Sequence, residues 1–269
     1  MPLIHIEGPA DPRIAIYRSV SDAELLRRHG LFVAEGRLIV RRAIDDRFTL
    51  RSVLINETNY RALADVLAAV SPDMPVFVCD THDFQGITGF NLHRGCLALV
   101  ERLPATASCE LLRSARTLVV LEAATNADNV GGIFRNAAAF GVDGVLLSPT
   151  SCDPLYRKAI RTSMGATMRV PFARLDDWPT ALADVRATGF TLVALSPRQS
   201  SMTLDEFAES KRPARMALLV GTEGDGLSDA ALSAADLSIR IPMSGLVDSL
   251  NMAVACGIAL SRLSDTGRL

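Results

Sequence analysis

Residues 238–261, SIRIPMSGLVDSLNMAVACGIALS, restrict the possible folds more tightly than any other part of the chain. Ile239 and Ile241 alternate with Ser238 and Arg240, so residues 237–241 predict a strand, which Pro242 ends. Residues 243–247 follow neither the helical nor the strand period and hold Ser244 and Gly245, which predicts a loop. Asp248 or Ser249 then supplies a helix cap, and residues 250–263 are apolar on nearly every face. Ala253, Ala255, Cys256, Gly257 and Ala259 keep the waist of that helix narrow. A helix apolar all round has to be covered on all sides. Its polar exceptions, Ser249 and Asn251, fall in the first turn, where unpaired backbone N–H groups also point outward. Polar groups gathered at one end of a buried helix predict a site there.

Burying such a helix takes a large core, and 269 residues with 49% hydrophobic and 22% charged side chains can build one. That length predicts two domains. No apolar run approaches the roughly 20 residues of a membrane span. The opening MPLIHIEGPADPR lacks the basic-then-apolar layout of a signal peptide. The expectation is a cytoplasmic protein with no membrane partner. Its five cysteines, at 79, 96, 109, 152 and 256, are odd in number and widely spaced, which argues against a disulfide framework or a zinc cluster. The formal charge of −2 gives no overall basicity that would advertise nucleic acid, but two local concentrations stand out. Between Pro154 and Leu175 there is no acid, while Arg157, Lys158, Arg161, Arg169 and Arg174 are basic. Arg27, Arg28, Arg37, Arg41 and Arg42 have only Glu35 against them.

Strand and helix signals alternate along the whole chain. Residues 1–15, rich in Pro and Gly, predict an irregular surface extension. Ser21 or Asp22 begins a helix; strands are expected at 31–33, 50–55, 76–79 and 97–100, with a helix over 60–70 and one helical turn at 82–86. This describes a small α/β domain, and ERLPATAS, residues 101–108, is the best linker candidate. In the second half strands are expected at 117–121, 145–147, 169–172, 190–195 and 216–220. Helices are expected at 130–140, from Asp153-Pro154 to 160, at 178–188 and before Ala235. Such a series predicts a mostly parallel sheet with helices on both faces.

In parallel sheets ligands sit beyond the carboxyl ends of the strands. Three such ends here are polar and rich in glycine: EAATNADNVGGIFR after the strand at 117–121, GTEGDGLS at 221–228, and the loop 242–249. In the first, Ile133, Phe134, Ala137 and Ala138 form the expected buried stripe and leave Arg135 on another face. In the second, glycines let backbone amides approach a ligand closely. Neither G-x-G-x-x-G nor a Walker pattern follows any strand, which disfavours ordinary dinucleotide and nucleotide sites. All four histidines, at 5, 29, 82 and 93, lie in the first half, so a site in the second half has no imidazole base and no His-based metal site. Asn, Ser, Arg and carboxylates suit a reaction driven by a reactive cofactor better than hydrolysis.

The segments NADNVGGIFRNAAAFG, LLVGTEGDGLS and IPMSGLVDSLNMAVA resemble, in order and separation, the three motifs of the SpoU (TrmH) family of S-adenosylmethionine-dependent RNA ribose methyltransferases, within the SPOUT superfamily. The likeness covers about residue 116 to the C-terminus. HGLFVAEGRLIVRRAI is more loosely similar to the opening of the small substrate-binding domain that precedes the catalytic domain in rRNA-modifying members. The resemblance implies an RNA-binding domain at 1–103, a linker at 104–115 and a catalytic domain at 116–269. It also implies a deep trefoil knot at the C-terminus and a homodimer, although knots are otherwise nearly absent from protein folds.

By motif position, the resemblance places Asn129, Arg135, Glu223, Ser249 and Asn251 in the catalytic set. Leu195, Ser196, Gly221, Ile241 and Leu250 fall on the positions that hold S-adenosylmethionine. RTSMGA, residues 161–166, is similar to a family segment beside the site, and Arg157, Lys158, Arg161, Arg41 and Arg42 are the candidates to meet RNA. The implied reaction moves a methyl group to a ribose 2′-hydroxyl, with rRNA expected ahead of tRNA because of the N-terminal domain. Arg135 is the family position proposed to assist deprotonation, but the high pKa of guanidinium groups in general suits it better to stabilising an alkoxide and gripping phosphate. A rival from another class, a non-catalytic RNA-binding protein that keeps the fold, would be told apart by its failure to consume cofactor with total RNA.

Overall fold

The computed structural model describes residues 2–82, 84, 95–197, 201–210, 212–222 and 224–264. By contacts the chain divides into two compact units, Met1–Leu103 together with Leu155–Gly165, and Pro104–Pro154 together with Ala166–Leu269. Among the described residues no helix is long and apolar enough to cross a membrane.

The first unit is built on a five-stranded sheet of β1 (Leu3–His5), β2 (Leu31–Glu35), β3 (Leu50–Asn56), β4 (Val76–Cys79) and β5 (Cys96–Glu101), in the order β1-β4-β3-β5-β2. β4 pairs parallel with β1 and β3, whereas β5 runs antiparallel to β3 and β2. The opening residues are therefore not an irregular extension. Leu3 faces Val76, and Ile6 and Ile14 are buried with Tyr17, Leu25, Leu54 and Phe77. The apolar LIHI pairs with the edge of β4 before Gly8 and Pro9 interrupt the chain, so the breakers follow a strand instead of preventing one. The helical turn expected at 82–86 falls largely outside the described residues.

Residues 155–165 add a helix, Arg157–Thr162, to this unit, with Leu155, Ala159 and Ile160 buried. Asp153-Pro154 does not start that helix as expected. Tyr156 occupies the cap position without a side-chain bond, while the Asp153 carboxylate, largely buried, lies 3.7 Å from Arg174.

The second unit carries β6 (Thr117–Leu121), β7 (Gly144–Leu147), β8 (Phe172–Arg174), β9 (Thr191–Leu195), β10 (Met202–Thr203), β11 (Met216–Val220) and β12 (Leu237–Arg240). Their order is β10-β12-β9-β11-β6-β7-β8, and every pairing is parallel. Strand period two divides the side chains between the faces. Leu118, Val120, Leu146, Leu192, Ala194, Ala217 and Leu219 share one core with the helices Ser108–Ser114, Ala181–Ala187 and Asp229–Ala234. On the other side the helices Ala127–Ala139 and Met252–Leu263 pack on each other.

Several expectations shift here. Residues 104–115, expected as a connector, contain the helix Ser108–Ser114, whose Leu111 and Leu112 belong to the core. The strand expected at 169–172 begins only at Phe172, because Met168 to Val170 complete a turn of 3-10 helix and its bonds. β10 and the helix Leu204–Glu209, opened by a Thr203/Glu206 capping box, have no counterpart in the sequence reading. Ala138 is exposed, so the buried stripe of its helix is Val130, Ile133, Phe134 and Ala137.

The C-terminal helix starts at Met252 and is capped by Asn251, not by Asp248 or Ser249. Its own chain does not cover it on all sides: Val254 is 50% exposed and Ile258 40%.

Candidate active site

Parallel register puts three loops at one edge of the second sheet. Leu195 at the end of β9 faces Val220 of β11 on one side and Ile239 of β12 on the other. The chain therefore leaves all three strands at the same level, and the Ser196 N–H donates to the Ile239 carbonyl at 2.9 Å. Between these loops lies a cleft of about 470 Å³. Leu195, Ser196, Gly221, Ile241 and Leu250 all line it, together with Ser249 and Asn251.

The loop 221–228 folds back on itself. The Gly226 N–H donates to the Thr222 carbonyl at 3.1 Å, so the backbone of Gly226 and Leu227 crosses directly over Gly221. A Cβ on Gly221 would stand 2.2 Å from the Gly226 carbonyl carbon and 2.3 Å from the Leu227 nitrogen. The glycine is thus required by the loop's own closure, a nearer reason than the ligand approach expected from the sequence. Glu223 lies outside the described residues.

The first and third motifs meet through two asparagines. Asn251 caps the C-terminal helix, its Oδ1 accepting from the N–H groups of Ala253 and Val254 at 3.0 and 3.2 Å. That fixes the amide so that Nδ2 points away from the helix and donates to Asn129 Oδ1 at 2.9 Å. Asn129 is itself buried in the first turn of Ala127–Ala139. Below this pair the two helices approach closely. Asn136 Nδ2 donates to the Ala253 carbonyl at 2.8 Å, and a Cβ on Gly132 would meet the Ala253 methyl at 2.7 Å. Arg135 stands exposed on the same helix, its neighbours Ile133 and Phe134 fully buried and Phe134 edge-on to Phe172.

Glu122, directly after β6, was passed over in the sequence. Its carboxylate is buried and accepts from Trp178 Nε1 at 2.7 Å and from Ser228 Oγ and N at 2.7 and 2.8 Å. The only available signal was an acid at a strand end, among residues otherwise small or neutral.

A family model described as the SpoU rRNA methylase family matches residues 116–261. The chain belongs to this family. An uncharacterized tRNA/rRNA methyltransferase of Mycobacterium bovis is 38% identical over 263 residues, covering 96% of this chain and 91% of that one. Among solved structures, an rRNA methyltransferase from Sinorhizobium meliloti superposes with a TM-score of 0.80 at 24% identity, covering 98% of each chain. The SpoU methyltransferase AviRb from Streptomyces viridochromogenes, in complex with AdoMet, does so with a TM-score of 0.76 at 22% identity, covering 94% of this chain and 97% of that one. These two likenesses bear on the fold. It is the α/β fold with a seven-stranded parallel sheet found here.

The five basic residues singled out for RNA all lie in the first unit of this SpoU-family chain. Arg41 is held by both oxygens of Asp65, at 2.8 and 2.9 Å, and by the Ala62 carbonyl. The hydrogen bonds between that pair raise the Arg41 pKa and lower that of Asp65. Arg42 donates to the Met164 carbonyl. The Arg157 backbone N–H donates to Asp22 at 2.8 Å, with the guanidinium 3.6 Å from the same carboxylate. Arg161 donates to the buried Glu35 at 3.2 Å while its own side chain stays 44% exposed, and Lys158 is exposed. Among the described residues no group of His, Cys, Asp and Glu is placed to hold a metal ion.

Proposed function

We propose that this SpoU-family chain transfers the methyl group of S-adenosylmethionine to a ribose 2′-hydroxyl of structured RNA, with rRNA preferred to tRNA. The strongest support is that the loops after β9, β11 and β12 line one cleft, and that Asn251 in that cleft is bonded to Asn129 of the first motif. The cleft's volume of about 470 Å³ falls among those typical of small-molecule sites, roughly 300–1,000 Å³. Leu195, Ser196, Gly221, Ile241 and Leu250 would hold the cofactor, through backbone N–H and C=O groups and apolar contact. When bound, S-adenosylmethionine supplies a methyl group already activated on a sulfonium.

The protein's own task is then to align the 2′-oxygen and accommodate its developing charge. Asn129, Asn251 and Ser249 orient the ribose, with Glu223 assigned to the same set. Arg135 presents a fork of donors and no acceptor, so it stabilises the alkoxide and grips the adjacent phosphate instead of acting as a literal base. RNA selection falls to residues 1–103 with 155–165. Lys158 and Arg161 are the contacts favoured there, since their side chains are exposed.

Val254 and Ile258, exposed on an otherwise apolar helix, support a homodimer sealed in part by that face. β12 lies between β9 and β10 instead of at the sheet edge, and the helix after it packs against Ala127–Ala139; both features favour a C-terminal trefoil knot. The protein is proposed to act in the cytoplasm.

Mapping of 2′-O-methylation in rRNA and tRNA from cells with and without the gene tests this reading. Loss of one ribose methyl from rRNA is the expected result. Loss from tRNA would reassign the substrate, and loss of a base methyl would overturn the ribose chemistry. A purified protein that binds RNA but consumes no cofactor would favour the non-catalytic alternative.

A further inference from the structure

The chemistry proposed above gives Glu122 no role, yet its side chain ties together three segments far apart in sequence. It is 7% exposed, and three hydrogen bonds converge on its carboxylate. Trp178 Nε1 and Ser228 Oγ donate to Oε1, each at 2.7 Å, and the Ser228 backbone N–H donates to Oε2 at 2.8 Å. Ser228 is the closing residue of the loop 221–228, whose members Gly221, Thr222, Gly224 and Leu227 line the cleft. It is also the cap of the helix Asp229–Ala234, its Oγ accepting from the Ala231 N–H at 3.1 Å.

One end of the loop is held by β11, which is paired on both sides in the middle of the sheet. The other end is fastened by Glu122, at the end of neighbouring β6. We propose that Glu122 is a positioning residue for cofactor binding: it latches Ser228 so that the loop's backbone is set in its cleft-lining form before the cofactor arrives. The proposal rests on the cleft being the S-adenosylmethionine site.

The latch requires a carboxylate, because every neighbour donates. In Glu122→Gln one amide orientation puts NH₂ against the Ser228 N–H, and the other puts it against the Trp178 indole N–H, which cannot accept. Ser228 Oγ keeps a second lone pair beside its bond from Ala231 and could turn to accept from that NH₂, but the Trp178 N–H would still face a donor. Hydrogen bonds to an ionised group are about twice as strong as neutral ones, so the latched population falls when the charge is removed.

The experiment measures S-adenosylhomocysteine affinity by calorimetry, and KM for S-adenosylmethionine and kcat on total RNA, for the full-length wild type and Glu122→Gln. The expected result is a dissociation constant and cofactor KM raised on the order of tenfold, with kcat at saturating cofactor within about twofold. Trp178, the only tryptophan, gives a second readout: its emission should differ between the two folded proteins, since its partner has changed. Wild-type affinity in Glu122→Gln would overturn the latch, as would a loss confined to kcat. A wild type that binds no S-adenosylhomocysteine would instead overturn the cleft's assignment. Should Glu122→Gln fail to fold, Ser228→Ala deletes one of the three bonds from the loop side. Weakened binding there supports the latch, and unchanged binding refutes it.

Discussion

Replacing Gly221 with alanine should cripple the cleft without unfolding the domain, and the size of the effect follows from three distances. The added Cβ would stand 2.2 Å from the carbonyl carbon of Gly226 and 2.3 Å from both its oxygen and the Leu227 nitrogen. Comfortable carbon contacts lie near 3.5–4.0 Å, so the clash exceeds an ångström. All three atoms are backbone, and no rotamer change relieves it. β11 is paired with β9 on one side and β6 on the other, so the loop is what gives way. Overpacking of this kind costs about 1–3 kcal/mol. If that cost falls on the loop's closed form, cofactor affinity drops roughly five- to a hundredfold, at about 1.4 kcal/mol per decade. Calorimetric titration with S-adenosylhomocysteine measures the drop, while circular dichroism and a melting curve monitor the fold. The midpoint should fall by no more than roughly 2–4 °C for each kcal/mol that the strand absorbs. Wild-type affinity together with an unchanged midpoint would refute the reasoning, because the alanine would then fit where the structure leaves no room.

Arg135→Ala should lower the single-turnover methylation rate on the order of 10²- to 10³-fold with cofactor affinity nearly unchanged, and Arg135→Lys should recover part of it; a wild-type rate from the alanine variant would remove Arg135 from the mechanism. Ile258→Glu, which places a charge on the exposed apolar face of the C-terminal helix, should convert a dimeric wild type to monomer in sedimentation. A wild type already monomeric at micromolar concentration would sink the dimer. Burial pushes the Cys96 and Cys256 thiols up to about 12, so at pH 8 they stay protonated as well as covered, whereas Cys109 is exposed. Maleimide labelling followed by peptide mapping should mark Cys109 well before either, and equal rates at Cys256 would contradict its burial.

What the sequence made legible was mostly local. β4 and β6 stand where their apolar runs begin and end, and the end of β9 was read correctly, because strand boundaries there are marked by neighbouring small or charged residues. The cleft's lining was legible too, since glycines and polar residues after apolar strands locate strand ends, and parallel pairing brings those ends together. Features that depend on partners distant in sequence stayed hidden. Asn251 looked like a side chain waiting for substrate, whereas it caps the C-terminal helix and is bonded to Asn129, 122 positions away. Asp248 and Ser249 have good capping chemistry, yet the helix begins three residues later than Ser249. Gly221 lines the cleft as read, but nothing in the sequence signalled that it also makes room for the backbone of Gly226.

Charge is legible only within the same limit. The acid-free window from Pro154 to Leu175 suggested a surface for phosphate, yet two of its cations are met by carboxylates from elsewhere in the chain, Arg157 by Asp22 and Arg161 by Glu35. This changes how RNA selection by the N-terminal part has to be tested. Removing residues 1–103 would strip Asp22 and Glu35 from their arginines and uncover Ala159 and Ile160, which are 0% and 1% exposed. Loss of activity after such a deletion would report a damaged segment as readily as lost recognition. Lys158 avoids the difficulty because it is exposed, so Lys158→Ala leaves the core of the unit intact. If Lys158 contacts phosphate, the variant should bind RNA more weakly by a similar factor for every sequence, and the slope of log affinity against log salt should shrink by about one counterion. An unchanged slope would remove Lys158 from the RNA contacts.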